Sequence, residues 1–123
     1  MRIILCHSIL KREINPLLKY FSKGDIKKYT EKVEKGLATE IKGATFPGTK
    51  LVKVYMTGNH GAGRMIVLVY VKDEYYIPVL VRHKKDKIVG INLSKGNQAF
   101  QDVLEKNLVS IGEDLKEGNF DEL

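Results

Sequence analysis

The chain carries a single cysteine, no tryptophan and three prolines in 123 residues. One thiol, Cys6, excludes an intramolecular disulfide. With no CxxC or HExxH spacing beside it, neither a structural zinc site nor a zincin-type centre is expected. The three histidines, His7, His60 and His83, are scattered and have no clustered carboxylates, so neither a metal nor a cofactor is expected. A serine hydrolase is excluded by the absence of GxSxG. The glycine-containing turn Thr57-Gly58-Asn59-His60-Gly61-Ala62-Gly63 lacks the lysine and spacing of a nucleotide-binding loop. Apolar runs fall far short of the ~20 residues a membrane helix needs. The opening Met1-Arg2-Ile3-Ile4-Leu5-Cys6-His7 is too short and too lightly charged for a secretory signal. The expectation is a cytoplasmic protein with no membrane partner.

What is present is a folded composition, 43% apolar and 29% charged, in a length that suits one domain. Charge is divided unevenly. Residues 1–53 hold 12 Lys/Arg against 5 Asp/Glu, residues 54–96 hold 7 against 3, and residues 97–123 hold 2 against 7, giving +7, +4 and −5. A basic body with an acidic end points to a polyanionic partner, nucleic acid being the commonest.

The most informative stretch is Gly63 to Lys87. Two β-branched and aromatic runs, Met65 to Val71 and Tyr75 to Val81, flank Lys72-Asp73-Glu74 and predict a buried hairpin. The second run ends in Arg82, His83, Lys84 and Lys85, which sets a group of cations at one end of a sheet. Upstream, Arg2 to His7 reads as a strand. Ile14, Leu17, Leu18 and Phe21 predict a short helix interrupted or started by Pro16. Asp25 is an N-cap candidate for a second helix, in which Ile26, Tyr29, Val33, Leu37 and Ile41 repeat at helical spacing as far as Gly43. In the strand LVKVYM, Leu51, Lys53 and Tyr55 share one face while Val52, Val54 and Met56 share the other. Lys87 to Asn92 predicts a short edge strand, Asn97 caps a helix running to about Gly118, and residues 119–123 form an acidic, loose tail. The expected fold is α+β: a small antiparallel sheet of about four strands with an N-terminal helical hairpin and a C-terminal helix. It forms a single domain over residues 1–118. Val67, Val69, Leu80 and Val81 are expected to pack on Leu17, Val33 and Leu37.

A site made of cations suits metal-free RNA cleavage, in which the ribose 2′-hydroxyl attacks the neighbouring phosphate. Arginine stabilises the developing charge there, and a titratable group moves a proton. Arg64 and Arg82 are the natural phosphate clamps and His83 a candidate acid or base. Consecutive residues of a regular strand, however, point to opposite faces, which separates Arg82 from His83.

The segments TKLVKVYM, GAGRMIVLVYV and YYIPVLVRHKKD, in this order after a strand and two helices, resemble the RelE/ParE toxin superfamily over roughly Met1 to Ser94. The resemblance implies ribosome-dependent cleavage of messenger RNA and inhibition by a cognate acidic antitoxin. By position it implies catalytic roles for Arg64, Arg82, His83 and Lys85, and RNA contacts from Lys50, Lys53, Lys84 and Lys87. The tyrosine often found downstream in RNA-cleaving members has no counterpart in Lys87-Ile88-Val89-Gly90-Ile91-Asn92. Two other readings stand beside it: a non-catalytic member that blocks a protein target such as DNA gyrase, and a small basic nucleic-acid-binding domain.

Overall fold

The two apolar runs around Lys72-Asp73-Glu74 pair with each other in the computed structural model, which describes residues 2–42, 46–58, 61–84 and 97–123. In chain order the elements are β1 (Arg2–Cys6), α1 (His7–Ile9), a π-helical turn Leu10–Ile14 and a 3-10 turn Asn15–Leu17. There follow α2 (Lys23–Glu34), β2 (Thr39–Ile41), β3 (Thr49–Gly58), β4 (Gly61–Tyr70), β5 (Tyr75–His83), α3 (Gln98–Glu117) and β6 (Phe120–Glu122). β3, β4 and β5 form an antiparallel meander, with Tyr70 opposite Tyr75 at one end and Gly63 opposite His83 at the other.

The expected sheet of about four antiparallel strands is corrected to a six-stranded mixed sheet, in the order β2-β3-β4-β5-β1-β6 among the described residues. β1 runs parallel to β5, Arg2 opposite Tyr75. Ile3, Ile4, Leu5 and Cys6 are all buried, and a strand that is apolar on both faces needs neighbours and cover on both sides. The second neighbour is β6, antiparallel to β1 with Leu5 opposite Asp121. The tail expected to be loose is therefore part of the sheet.

The N-terminal helical hairpin is also corrected. Pro16 has no N–H to continue an α-helical ladder, and the chain after α1 passes through one π-helical and one 3-10 turn instead of a regular helix. α2 begins one turn earlier than expected, at a capping box. The Ser22 hydroxyl accepts from Asp25 N–H at 3.1 Å, and the Asp25 carboxylate accepts from Ser22 N–H at 2.9 Å. The helix stops at Glu34, followed by Gly36 at φ 75°, so Leu37 is 63% exposed and does not join the core. Thr39 and Ile41 pair with Lys53 and Leu51 of β3 as the edge strand β2. α3 is as expected, capped by the Asn97 side chain and ended by Gly118 in the left-handed region. The edge strand expected at Lys87 to Asn92 lies outside the described residues.

Helices cover both faces of the sheet. On one face α2 brings the Thr30 hydroxyl to the Met65 sulfur at 3.9 Å, and Phe21 lies over Gly63. On the other, Leu115 of α3 shares a cleft wall with Ile4, Tyr70 and Ile77. Val67, Val69, Leu80 and Val81 are buried as expected, with Leu17 and Val33 packed against the core. The β4–β5 ladder has one irregularity. Ile66 faces Leu80 while Val67 faces Pro78, which leaves Val79 as an extra residue and sets Pro78 beside a bulge.

Gly63 lies directly against Phe21, in the segment that leads into α2. A Cβ there would lie 2.7 Å from Phe21 Cζ and 2.9 Å from the Arg82 carbonyl oxygen, and the latter is backbone that cannot turn aside. Strand propensity alone would make Gly63→Ala stabilising. The packing predicts instead a loss of about 2 kcal/mol, read as a lower urea midpoint; an unchanged or raised midpoint contradicts this account of the layer contact.

Candidate nucleic-acid interface

Side chains directly opposite each other in the ladder share a face of the sheet. Tyr55 of β3 is opposite Arg64 of β4, and Arg64 is opposite Arg82 of β5, so these three form one row across three strands. Lys53 lies two residues before Tyr55 on the same face, its Nζ 5.2 Å from the centre of the Tyr55 ring; the Arg64 guanidinium carbon lies 5.6 Å from that centre. Past the end of β5, Lys84 N–H donates to the Ala62 carbonyl at 2.8 Å and carries the ladder one position further. Alternation puts its exposed side chain on the face of Arg82.

Arg82 is held from below. β1 pairs with β5 at Tyr75 and Tyr76, and further along that edge the helical segment after β1 takes over with a side chain. Glu13, in the π-helical turn and only 3% exposed, accepts the Val81 N–H at 3.0 Å and the Arg82 Nη1. Its other oxygen accepts from Asn107 Nδ2 at 3.2 Å, and the same amide donates to the carbonyl of the bulged residue Val79 at 2.9 Å. Arg82 Nη1 also donates to the Val81 carbonyl at 2.9 Å. A carboxylate this deep is expensive unless its lone pairs are taken, and here three donors take them. The guanidinium is thereby fixed in orientation, and part of its charge is balanced.

The other candidates are dispersed. His83 lies on the opposite face of the sheet, buried, with ring centres 4.4 Å from Tyr20 and 6.2 Å from Phe21. Gly61, at φ 119°, admits it closely: a Cβ there would come within 2.7 Å of His83 Nε2. Lys50 is also on that opposite face, paired across from Val69 at the far end of β3, and its Nζ is 4.0 Å from Glu40 Oε1. Lys85 and Lys87 lie outside the described residues. The row thus gathers Lys53, Arg64, Arg82 and Lys84, and does not include His83 or Lys50.

Cys6 offers no nucleophile: burial, aided by the nearby Asp114 carboxylate, pushes its thiol up to about 12. Among the described residues no group of three His, Cys, Asp or Glu side chains could hold a metal ion, and no helix is long and apolar enough to cross a membrane.

Sequence reasoning overlooked Tyr55, although the lone aromatic sharing a strand face with Lys53 was a readable signal. It also missed Glu13 and Asn107, for which no local signal exists, because 94 positions separate the two residues that meet. No family model, curated protein or solved structure matches the chain.

Removing Arg82 leaves Glu13 buried beside fewer donors. Arg82→Ala is predicted to lower unfolding stability by about 3 kcal/mol, and by much less when Glu13→Gln is already present. A double-mutant cycle by chemical denaturation measures this coupling; equal losses in both backgrounds contradict it.

Proposed function

We propose that the protein is a toxin-like, metal-independent endoribonuclease that binds messenger RNA on the ribosome and stops translation by cutting it. The observation that carries this reading is the direct cross-strand pairing of Arg64 with Arg82 on one face. Residues directly opposite each other present their side chains to the same face, so two planar donor forks stand on one side of the sheet where a phosphate can be met, Glu13 holding Arg82 in place. Lys53 and Lys84 on the same face extend the positive strip along a polyanionic backbone. The basic body of the chain and the resemblance of its three β-segments to the RelE/ParE toxins support the same reading.

In the proposed reaction the ribose 2′-oxygen attacks phosphorus and the bond from phosphorus to the 5′-oxygen breaks. A 2′,3′-cyclic phosphate remains on one fragment and a 5′-hydroxyl on the other. Arg64 and Arg82 stabilise the phosphorane that forms between these events. The 2′-hydroxyl proton leaves to water, and the Lys84 ammonium, on the same face as Arg82, supplies a proton to the departing 5′-oxygen and regains one from solvent. The buried position of His83 on the far side of the sheet argues for Lys84 in this role. An acidic antitoxin would inhibit by covering the same cations, and the protein would act in the cytoplasm where the ribosomes are.

The absence of a tyrosine in the segment Lys87-Ile88-Val89-Gly90-Ile91-Asn92 favours a second reading, in which the protein is non-catalytic and blocks a protein target such as DNA gyrase. Inhibition of supercoiling without any RNA product would select it.

Arg64→Ala is the cleaner probe, because the buried Glu13 network is built on Arg82. In a cell-free translation reaction the wild-type protein is predicted to halt synthesis and yield messenger fragments with cyclic-phosphate ends. Arg64→Ala should slow cleavage on the order of 100-fold. Uninhibited synthesis, or cleavage unchanged by Arg64→Ala, refutes the proposal.

A further inference from the structure

We infer that Tyr55 is a base-stacking platform, so that the face it shares with Arg64 and Arg82 takes single-stranded RNA with at least one unpaired base laid on the Tyr55 ring. This inference rests on the RNA reading above and specifies the form of the substrate. Tyr55 is 55% exposed, and among the described residues it is the one aromatic in a small set of exposed large apolar side chains, the others being Leu18, Leu37, Val71 and Val109. Those four are aliphatic and offer no π-face. Tyr55 projects from β3, where pairing with Arg64 of β4 fixes its backbone on one side, and the pairing with β2 ends at Lys53, two residues before it.

Its surroundings distinguish it from a tyrosine that merely suits a strand. Lys53 Nζ at 5.2 Å and the Arg64 guanidinium carbon at 5.6 Å from the ring centre lie over the ring, and an incoming base takes the place of one of these flexible side chains. A nucleotide presents a flat base joined to an anionic phosphate, and an aromatic ring flanked by cations matches both parts. Neighbouring strands are about 4.8 Å apart, so a base on Tyr55 leaves the adjoining backbone to run across Arg64 towards Arg82. Paired RNA hides its base faces in the stack and cannot engage the ring. Stacking of this kind is tolerant of sequence, because every base has a π-face.

The experiment is binding of a short fluorescent single-stranded RNA by anisotropy over a range of salt concentrations, with wild type, Tyr55→Ala, Tyr55→Phe and Arg64→Ala. Tyr55→Ala is expected to weaken binding about tenfold without changing the slope of log affinity against log salt. Tyr55→Phe is expected to bind like wild type, and Arg64→Ala to lower the slope by about 0.7. Because the chain has no tryptophan, Tyr55→Trp supplies a single reporter, whose emission should be quenched by single-stranded RNA and not by a duplex of the same sequence. Wild-type affinity in Tyr55→Ala, or tryptophan emission from Tyr55→Trp that is blind to single-stranded RNA, overturns the stacking role while loss on Arg64→Ala leaves the RNA reading standing. Absence of salt-dependent binding by the wild type overturns the RNA reading itself.

Discussion

The Glu13 carboxylate, set against the edge of β5, is the contact on which the arrangement of the row depends. At Val79 to Arg82, among the described residues, that edge has no strand beside it to bond its backbone. Glu13 and Asn107 take the place of one, the first by accepting Val81 N–H and the second by donating to the Val79 carbonyl. The same carboxylate then meets Arg82, so one buried group completes the sheet edge, joins the π-helical turn and α3 to it, and aims a guanidinium. Such a group is strongly destabilising if left unpaired, which ties the geometry of the row to the integrity of the core.

Around this contact the two-sided cover of the sheet sets what reaches solvent. β4 and β5 are apolar almost throughout because α2 lies on one face and α3 on the other, and polar side chains emerge only towards the ends. At the Arg82 end the two faces differ. One carries Tyr55, Arg64 and Arg82, while the other closes over His83 with Tyr20 and Phe21. The separation of Arg82 from His83 follows from the two-residue period of a strand. The bulge at Val79 lies upstream of both and does not bring them together.

The hairpin, its buried residues and the cation group at its end were legible in the sequence, since β-branched runs around a polar joint carry their own local signal. Helical spacing overruns the second helix because Leu37 and Ile41 continue the period by coincidence; Gly36 in the left-handed region was the competing signal. β2 and β6, each three residues long, are made by tertiary pairing and have almost no pattern of their own. Of the candidate residues, Arg64 and Arg82 were readable as a pair. The separation of Lys50 from Lys53 followed from an odd spacing along one strand, whereas the burial of Glu13 depended on contacts nearly a chain length apart.

Charge lies on several surfaces of this molecule, including the lysines of α2, so a basic protein could hold RNA without using the row at all. Ultraviolet crosslinking of the intact protein to single-stranded RNA, with the modified peptides mapped by mass spectrometry, separates these cases directly. The account predicts adducts concentrated on Tyr55 and its strand neighbours and few on α2. Adducts concentrated on Lys27, Lys28 and Lys32 of α2, with Tyr55 unmodified, would contradict it.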